Sequence, residues 1–334
     1  MHFLPEILWV NLLVFAGTLY VLAKSADFLV DGAVGIAVHF NMPKMLIGIV
    51  LVGFATTAPE FVVSLLSAIR GMPEIALGNA IGSVVADDAF ALALAIIIAP
   101  VAIKVDSKIL KTTGLFLIGI DIFAFFMSLG GVISRFEGII FVSLLIVYLI
   151  VVFYSQKKQR GKAKAAAKST AKHEVEEVEE HMKKGSVGIQ FLRFGGGVAG
   201  VVLASEFLID SSINIAHHFG IPEVVIGLTI IAIGTSLPEI ATCIIAARKG
   251  HGDLALGDII GADILNVLWI IGMASIAKPI QVAPEVIHFS FPAMIIIVGT
   301  MLLLSRHKYT LHRWKGFVLI SMYVVYLVLT FYLF

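Results

Sequence analysis

Long runs of apolar residues, separated by short charged or glycine-rich segments, make up most of this chain. Ten of these runs are about as long as, or longer than, the ~20 residues that a helix needs to cross a lipid bilayer. Five precede a charged segment and five follow it. Their approximate bounds are 6–38, 44–68, 75–99, 109–128, 134–154, 188–216, 223–246, 254–276, 285–304 and 315–333. The pattern therefore predicts ten membrane spans, which we number in chain order.

Composition agrees with this pattern. Of the 334 residues, 59% are hydrophobic and 14% are charged, whereas a soluble domain carries about 25% charged residues. This excludes a soluble enzyme, a disordered chain and a nucleic-acid binder, and it predicts an all-α polytopic membrane protein whose partner is the lipid bilayer. No obligate protein partner is evident. Cys243 is the single cysteine, so no internal disulfide forms. The first residues lack a basic region, so we expect a retained helix.

The segment 156–187 is the one clear break in composition, with a basic stretch followed by an acidic one. It predicts a solvated, partly helical linker between a first half, 1–155, and a second half, 188–334. If this linker is cytoplasmic, the inside loops hold 20 of the 24 Lys and Arg residues. The outside loops then hold only Arg70, Arg135 and Lys278. The positive-inside rule thus places the linker in the cytoplasm and both termini outside.

The two halves share an internal repeat. Residues 26–94 match residues 205–273 without a gap, with 20 identities in 69 positions. The matches include Pro, Glu, Gly and Asp positions, which apolar composition alone would not align. Because each half has five spans, an odd number, the halves have opposite orientations. Two inverted five-helix repeats are typical of secondary transporters, which bind their cargo near the midplane between the repeats.

The second and seventh spans carry matching Pro-Glu motifs. Pro59 and Pro238 cannot donate to the carbonyls four residues earlier, which predicts a broken helix with free carbonyl oxygens. Glu60 and Glu239 each place a carboxylate mid-span, at a cost of roughly 2.5–3.5 kcal/mol. Hydroxyls stand beside them at Thr56, Thr57, Thr235 and Ser236. Such oxygen ligands suit Ca2+ or Na+. The alternative is a kink whose protonated Glu bonds to a neighbouring helix.

The third and eighth spans supply further polar residues. Ser83 and Asp87 are four residues apart and share one helix face. Their repeat partners are Ala262 and Asn266. Asp88, Asp258 and Asp263 lie nearby, and for the last two a helix cap or a vestibule charge stays an equal alternative.

Four acids on the first and sixth spans form two matched pairs: Asp27 with Asp31, and Glu206 with Asp210. Each pair lies on one helix face. They either line an ion access path or are solvated where long spans leave the membrane.

Residues 56–60 with 78–83, and 234–239 with 257–266, resemble the two alpha-repeats of the cation/calcium exchanger superfamily, in particular prokaryotic sodium/calcium exchangers. The resemblance implies Ca2+ antiport against Na+ or H+ by alternating access in a prokaryotic cell membrane, with no cofactor and no enzyme activity. It makes Glu60 and Glu239 the central calcium ligands and gives the first and sixth spans the role of a sliding gate. The resemblance also implies that Thr56 and Thr235 bind the ion through their backbone carbonyls. It implies that flanking sodium sites take hydroxyls from Thr57, Ser83 and Ser236 and carbonyls from Gly53 and Ala232. Asp87 and Asn266 would then form a polar pair at the centre of the site.

The sequence departs from the resemblance in two ways. Archaeal sodium/calcium exchangers of this type typically carry Asn in the first repeat and Asp in the second, whereas here Asp87 precedes Asn266. Ala262 stands where a serine would line one sodium site, which weakens Na+ binding there. We predict Ca2+/Na+ antiport. The alternative is Ca2+/H+ antiport, or exchange of another divalent cation for H+, and a cation channel is a remote alternative. A membrane hydrolase is disfavoured, since no catalytic dyad is visible.

Overall fold

The computed structural model describes residues 4–5, 7–39, 57–105, 107, 110–163, 187–248 and 252–334. Nearly all of this part is helical. The helices, numbered in chain order, are α1 Leu8–His39, α2 Ala58–Ile69, α3 Pro73–Ile98, α4 Leu110–Ser128, α5 Arg135–Ala163, α6 Val187–Phe219, α7 223–235, α8 Leu237–Arg248, α9 252–277, α10 286–306 and α11 Arg313–Leu333.

Eight helices in this part of the chain are long and apolar enough to cross a membrane: α1, α3, α4, α5, α6, α9, α10 and α11. They coincide with eight of the ten predicted spans. The second and seventh spans contain shorter apolar helices, Ala58–Ile69 and Val224–Thr235. Residues 44–56 of the second span lie outside the described residues. Helix α1 is continuous over 32 residues, and helix α6 is continuous over 33 residues.

Two short antiparallel ribbons lie in the loops, which the all-α prediction did not include. β1 Ile103–Lys104 pairs with β4 Thr310–Leu311, and β2 Val132–Ile133 pairs with β3 Ile280–Gln281. Strands of two residues leave no alternating pattern in the sequence, because such a pattern needs at least four residues.

The ribbons join loops that the span order places on the same side of the membrane. β1 and β4 lie in loops predicted inside, and Gly252, beside a third such loop, packs against the Ile103 side chain. β2 and β3 lie in loops predicted outside, where Lys278 Nζ also donates to the Gly71 carbonyl at 3.3 Å. These contacts therefore divide the described loops into the same two groups that the predicted span order places on opposite sides of the membrane.

Helices α3 and α9 form the centre of the molecule. In the most apolar 18-residue stretch of each helix, 78% of the residues are buried, compared with 17% in α5. Two glycines bring the backbone of α3 against α7: a Cβ on Gly82 would lie 2.5 Å from the Leu228 carbonyl, and one on Gly78 2.6 Å from the Val224 carbonyl. Small residues permit such contacts between membrane helices. Helices from the two halves thus meet directly.

Helices α1 and α6 pack along each other. The Cα of Gly197 faces the backbone of Leu29, and that of Gly32 faces the backbone of Phe194. Asn214 Nδ2 donates to Asn11 Oδ1 at 3.0 Å. The two helices predicted to form the gate are therefore in close contact with each other.

Candidate cation site

The two Pro-Glu motifs produce matched backbone geometry. Thr57 precedes α2 with φ −79° and ψ 4°, and Ser236 separates α7 from α8 with φ −76° and ψ 8°. Pro59 and Pro238 fall in the first turns of α2 and α8, where the missing N–H donor costs no helix hydrogen bond. The predicted break is therefore present at Ser236, and α2 begins at the equivalent point of the first half.

The starts of α2 and α8 and the π turn of α3 bring acids from both halves together. Glu60, Asp87 and Glu239 are each 1% exposed, and their carboxyl groups lie within electrostatic range of one another. The Glu60 carboxyl lies beside the hydroxyls of Thr235 and Ser236, which come from the second half. The second half thus places hydroxyls beside Glu60, and acids of the first half lie within electrostatic range of Glu239.

Several of these buried oxygens make no hydrogen bond within the described part of the chain. They belong to Glu60, Ser83, Asp87, Ser236 and Asn266. Burying a polar group without a partner costs free energy, and a buried charge costs more. The Glu60 carboxyl lies close to the Thr235 and Ser236 hydroxyls, but neither of its oxygens has a hydrogen-bond partner among the described residues. Carboxylate, hydroxyl and amide oxygens are the ligands that hard cations select.

The other predicted site residues divide into three cases. Thr57 and Ala232 are buried at the two breaks. The Thr235 hydroxyl is hydrogen-bonded: Asn79 Oδ1 and the Ile231 carbonyl oxygen both lie 3.1 Å from it as acceptors. Gly53 and Thr56 lie outside the described residues. Among the residues described, no three Asp, Glu, His or Cys side chains converge closely enough to hold a metal ion by themselves.

Helices α3 and α9 each change to a π-helical turn at a predicted site residue. The turns are Asp87–Ala91 and Asn266–Ile271, which begin at repeat-matched positions. A π turn widens a helix locally and is frequent at functional sites. The polar pair therefore lies at the point where both central helices depart from α geometry.

A second group of acids lies within the helices, and one of its members, Asp121, was not predicted from the sequence. Asp88, Asp121 and Asp263 are fully buried; the carboxyls of Asp88 and Asp263 face each other, with Asp121 in electrostatic range. Asp121 belongs to no motif, and its only signal was an acid inside an apolar span. Asp258 and Asp263 lie within α9 rather than at its start, and Asp258 lies in range of Glu239. The helix-cap interpretation of these two residues is therefore wrong.

The two pairs of acids on the long helices differ. Asp27 and Asp31 are exposed, and Asp27 contacts Lys24 at 3.2 Å. Glu206 instead contacts Arg70 at 3.2 Å, and Arg70 also binds the fully buried Asp210. Arg70 ends α2, so this ion pair ties α2 to α6. Glu206 and Asp210 are therefore not simply solvated acids, because both contact Arg70 and Asp210 is buried.

Comparison with known proteins identifies the family. The model of the family described as sodium/calcium exchanger protein matches residues 10–154 and 189–332, one segment in each half. The chain belongs to the sodium/calcium exchanger family. This exchanger is 30% identical to sodium/calcium exchanger MaX1 of Methanosarcina acetivorans, over 97% of this chain and 99% of the relative. It is 29% identical to inner membrane protein YrbG of Escherichia coli, over 94% and 95% of the two chains.

A solved structure of the sodium-calcium exchanger NCX_Mj, soaked with Na+ and Sr2+, matches with a TM-score of 0.62. The identity is 26%, and the match covers 96% of this exchanger and 98% of that chain. A second structure of the same exchanger, soaked with Na+ and Ca2+, matches with the same score over 95% of this chain and 97% of the other. The likeness extends over the whole fold in both comparisons.

Proposed function

We propose that this exchanger carries Ca2+ in one direction and Na+ in the other by alternating access. The observation that carries the proposal is the cluster of buried Glu60, Asp87 and Glu239 carboxylates, contributed by both halves, with the two glutamates in the first turns of α2 and α8 and Asp87 at the π turn of α3. The names of MaX1 and of the solved exchanger, which refer to sodium and calcium, support it.

The proposed calcium site lies between α2 and α8. Glu60 and Glu239 bind Ca2+ with the carbonyls of Thr56 and Thr235, and Asp87 adds negative charge. Na+ occupies overlapping positions offered by Thr57, Ser83, Ser236 and Asn266 and by the carbonyls of Gly53 and Ala232. Because both cargoes need the same carboxylates, electrostatic repulsion prevents them from binding together, and this couples the two fluxes.

We also propose that the chain forms two inverted five-helix repeats, 1–155 and 188–334, joined by a cytoplasmic linker, 156–187, with both termini outside. The two ribbons are equivalent under an exchange of the halves. In loop order, β1 of the first half corresponds to β3 of the second, and β2 corresponds to β4, so the β1–β4 pair corresponds to the β3–β2 pair. The matched helix breaks and π turns support the same symmetry.

Ala262 bears on the counter-ion. It is buried at 3% exposure and offers no hydroxyl at the position matching Ser83. Fewer oxygens weaken Na+ binding, whereas a proton needs only a buried carboxylate. Coupling to H+ is therefore the second candidate function, with the same residues and the same gate.

Gradient-driven Ca2+ uptake into proteoliposomes tests the proposal. An outward Na+ gradient is expected to drive Ca2+ uptake, and an imposed pH gradient without Na+ is not. In Ala262→Ser, the Na+ concentration for half-maximal uptake is expected to fall severalfold, because the added hydroxyl completes a sodium site.

Uptake that follows only the pH gradient would replace Na+ by H+ as the counter-ion. Ca2+ flux that needs no opposing ion would contradict antiport and indicate a channel. An Ala262→Ser protein with unchanged Na+ dependence would show that the missing hydroxyl does not limit Na+ binding.

A further inference from the structure

Asn79 lies on the face of α3 that points at the proposed cation site. It is fully buried, and it precedes Ser83 by four residues and Asp87 by eight. Residues four apart share one helix face. Asn79 is not among the ligands of the proposed site, yet its side chain contacts two of them, Glu60 and Thr235.

The Asn79 amide joins helices from both halves. Its Nδ2 donates to the Glu60 carbonyl oxygen at 3.3 Å and to Ser64 Oγ at 2.9 Å, both in α2. Its Oδ1 accepts from Thr235 Oγ1 at 3.1 Å, at the end of α7. The donors and the acceptor of the amide are thus all engaged by protein groups of α2 and α7.

The Thr235 hydroxyl connects this amide to a proposed ligand. Its single proton has three acceptors within reach: Asn79 Oδ1 and the Ile231 carbonyl at 3.1 Å, and the Ala232 carbonyl at 3.3 Å. The last two bonds lie within α7 and would form in any helix. Of these three bonds, only the one to Asn79 connects Thr235 to the other half of the protein, where the Glu60 carboxyl also lies beside the hydroxyl.

We infer that Asn79 is a positioning residue that fixes the distance between Glu60 and the Thr235 carbonyl, the ligands that the two halves contribute. The inference rests on the proposed function. Calcium sites are tuned by ligand rigidity, and buried side-chain networks are rigid only when every member is satisfied. A loosened amide would let α2 and α7 separate at the site while each helix stayed folded.

Two single variants and their double variant test this role. Asn79→Ala removes the whole bridge, and Thr235→Val removes only the hydroxyl while keeping the shape and the backbone carbonyl. Each is expected to raise the Ca2+ concentration for half-maximal uptake by about tenfold. The double variant is expected to lose little more than Asn79→Ala, because both changes break one shared contact.

Thr330→Val is the matched control. Thr330 is fully buried in α11, and its hydroxyl donates at 2.8 Å to the Tyr326 carbonyl, within its own helix. This variant loses a buried threonine hydroxyl far along the chain from the site, so its half-maximal Ca2+ concentration is expected to stay at the wild-type value. Melting temperatures of all variants identify a loss of folding.

Three results would overturn the inference. They are unchanged half-maximal Ca2+ concentrations in Thr235→Val, fully additive losses in the double variant, and a lowered maximal rate with unchanged Ca2+ dependence. If wild-type protein carried no Ca2+ under any gradient, the proposed function would fail and the inference with it. A transporting wild type with unaffected variants would overturn the inference alone.

Discussion

Replacing Glu60 or Glu239 with glutamine is expected to reduce Ca2+ uptake to the level of empty liposomes. Both carboxylates are buried and come from opposite halves. Glutamine keeps the shape but removes the charge that offsets the desolvation of a divalent ion, and binding by neutral oxygens is far weaker. Uptake of radioactive Ca2+ into proteoliposomes with an internal Na+ load measures the effect.

Glu285→Gln is the control for this experiment. Glu285 is an exposed acid next to the start of α10, so the same chemical change there is expected to leave uptake unchanged. Wild-type uptake by either Glu60→Gln or Glu239→Gln would show that the site is assigned to the wrong residues.

Replacing Arg70 with methionine is expected to destabilise the protein by about 3 kcal/mol, because it removes the charge partner of a fully buried carboxylate. Arg70 binds both Glu206 and Asp210, and its own side chain is 16% exposed. Because the pair joins α2 to α6, we also expect faster proteolysis of the loop that follows α2. Thermal unfolding in detergent, followed by a thiol-reactive dye at the buried Cys243, measures the change.

Lys24→Met provides the comparison for Arg70→Met. The Lys24–Asp27 pair has a similar distance, 3.2 Å, but its side chains are 58% and 64% exposed. Exposed pairs contribute little, about 0–1 kcal/mol. Equal unfolding temperatures for Arg70→Met and wild type would contradict a stabilising role for the buried pair.

The strongest sequence predictions rested on features that occur twice. The Pro-Glu motif at Pro59 and Pro238 predicted a helix break from local chemistry alone, and the matched angles at Thr57 and Ser236 agree with it. The long apolar runs predicted eight described spans because hydrophobic length is itself the physical requirement for crossing a bilayer.

Contacts between distant residues could not be predicted in the same way. Arg70 and Asp210 are 140 positions apart, and Arg70 was counted only as a loop charge. Its binding to Asp210 depends on how α2 packs against α6, which no local pattern encodes. The same holds for Asp121, whose neighbours Asp88 and Asp263 come from other helices. Asn79 belonged to the repeat motif, but only the structure showed its bonds to α2 and α7.

In the proposed mechanism, Ca2+ and Na+ exclude each other from one set of carboxylates. Equilibrium dialysis of purified protein against radioactive Ca2+ at increasing Na+ concentrations measures this exclusion. We expect Na+ to displace Ca2+ completely, and the apparent Ca2+ dissociation constant to rise steadily with Na+ concentration. Ca2+ that stays bound at saturating Na+, with Na+ bound at the same time, would contradict it.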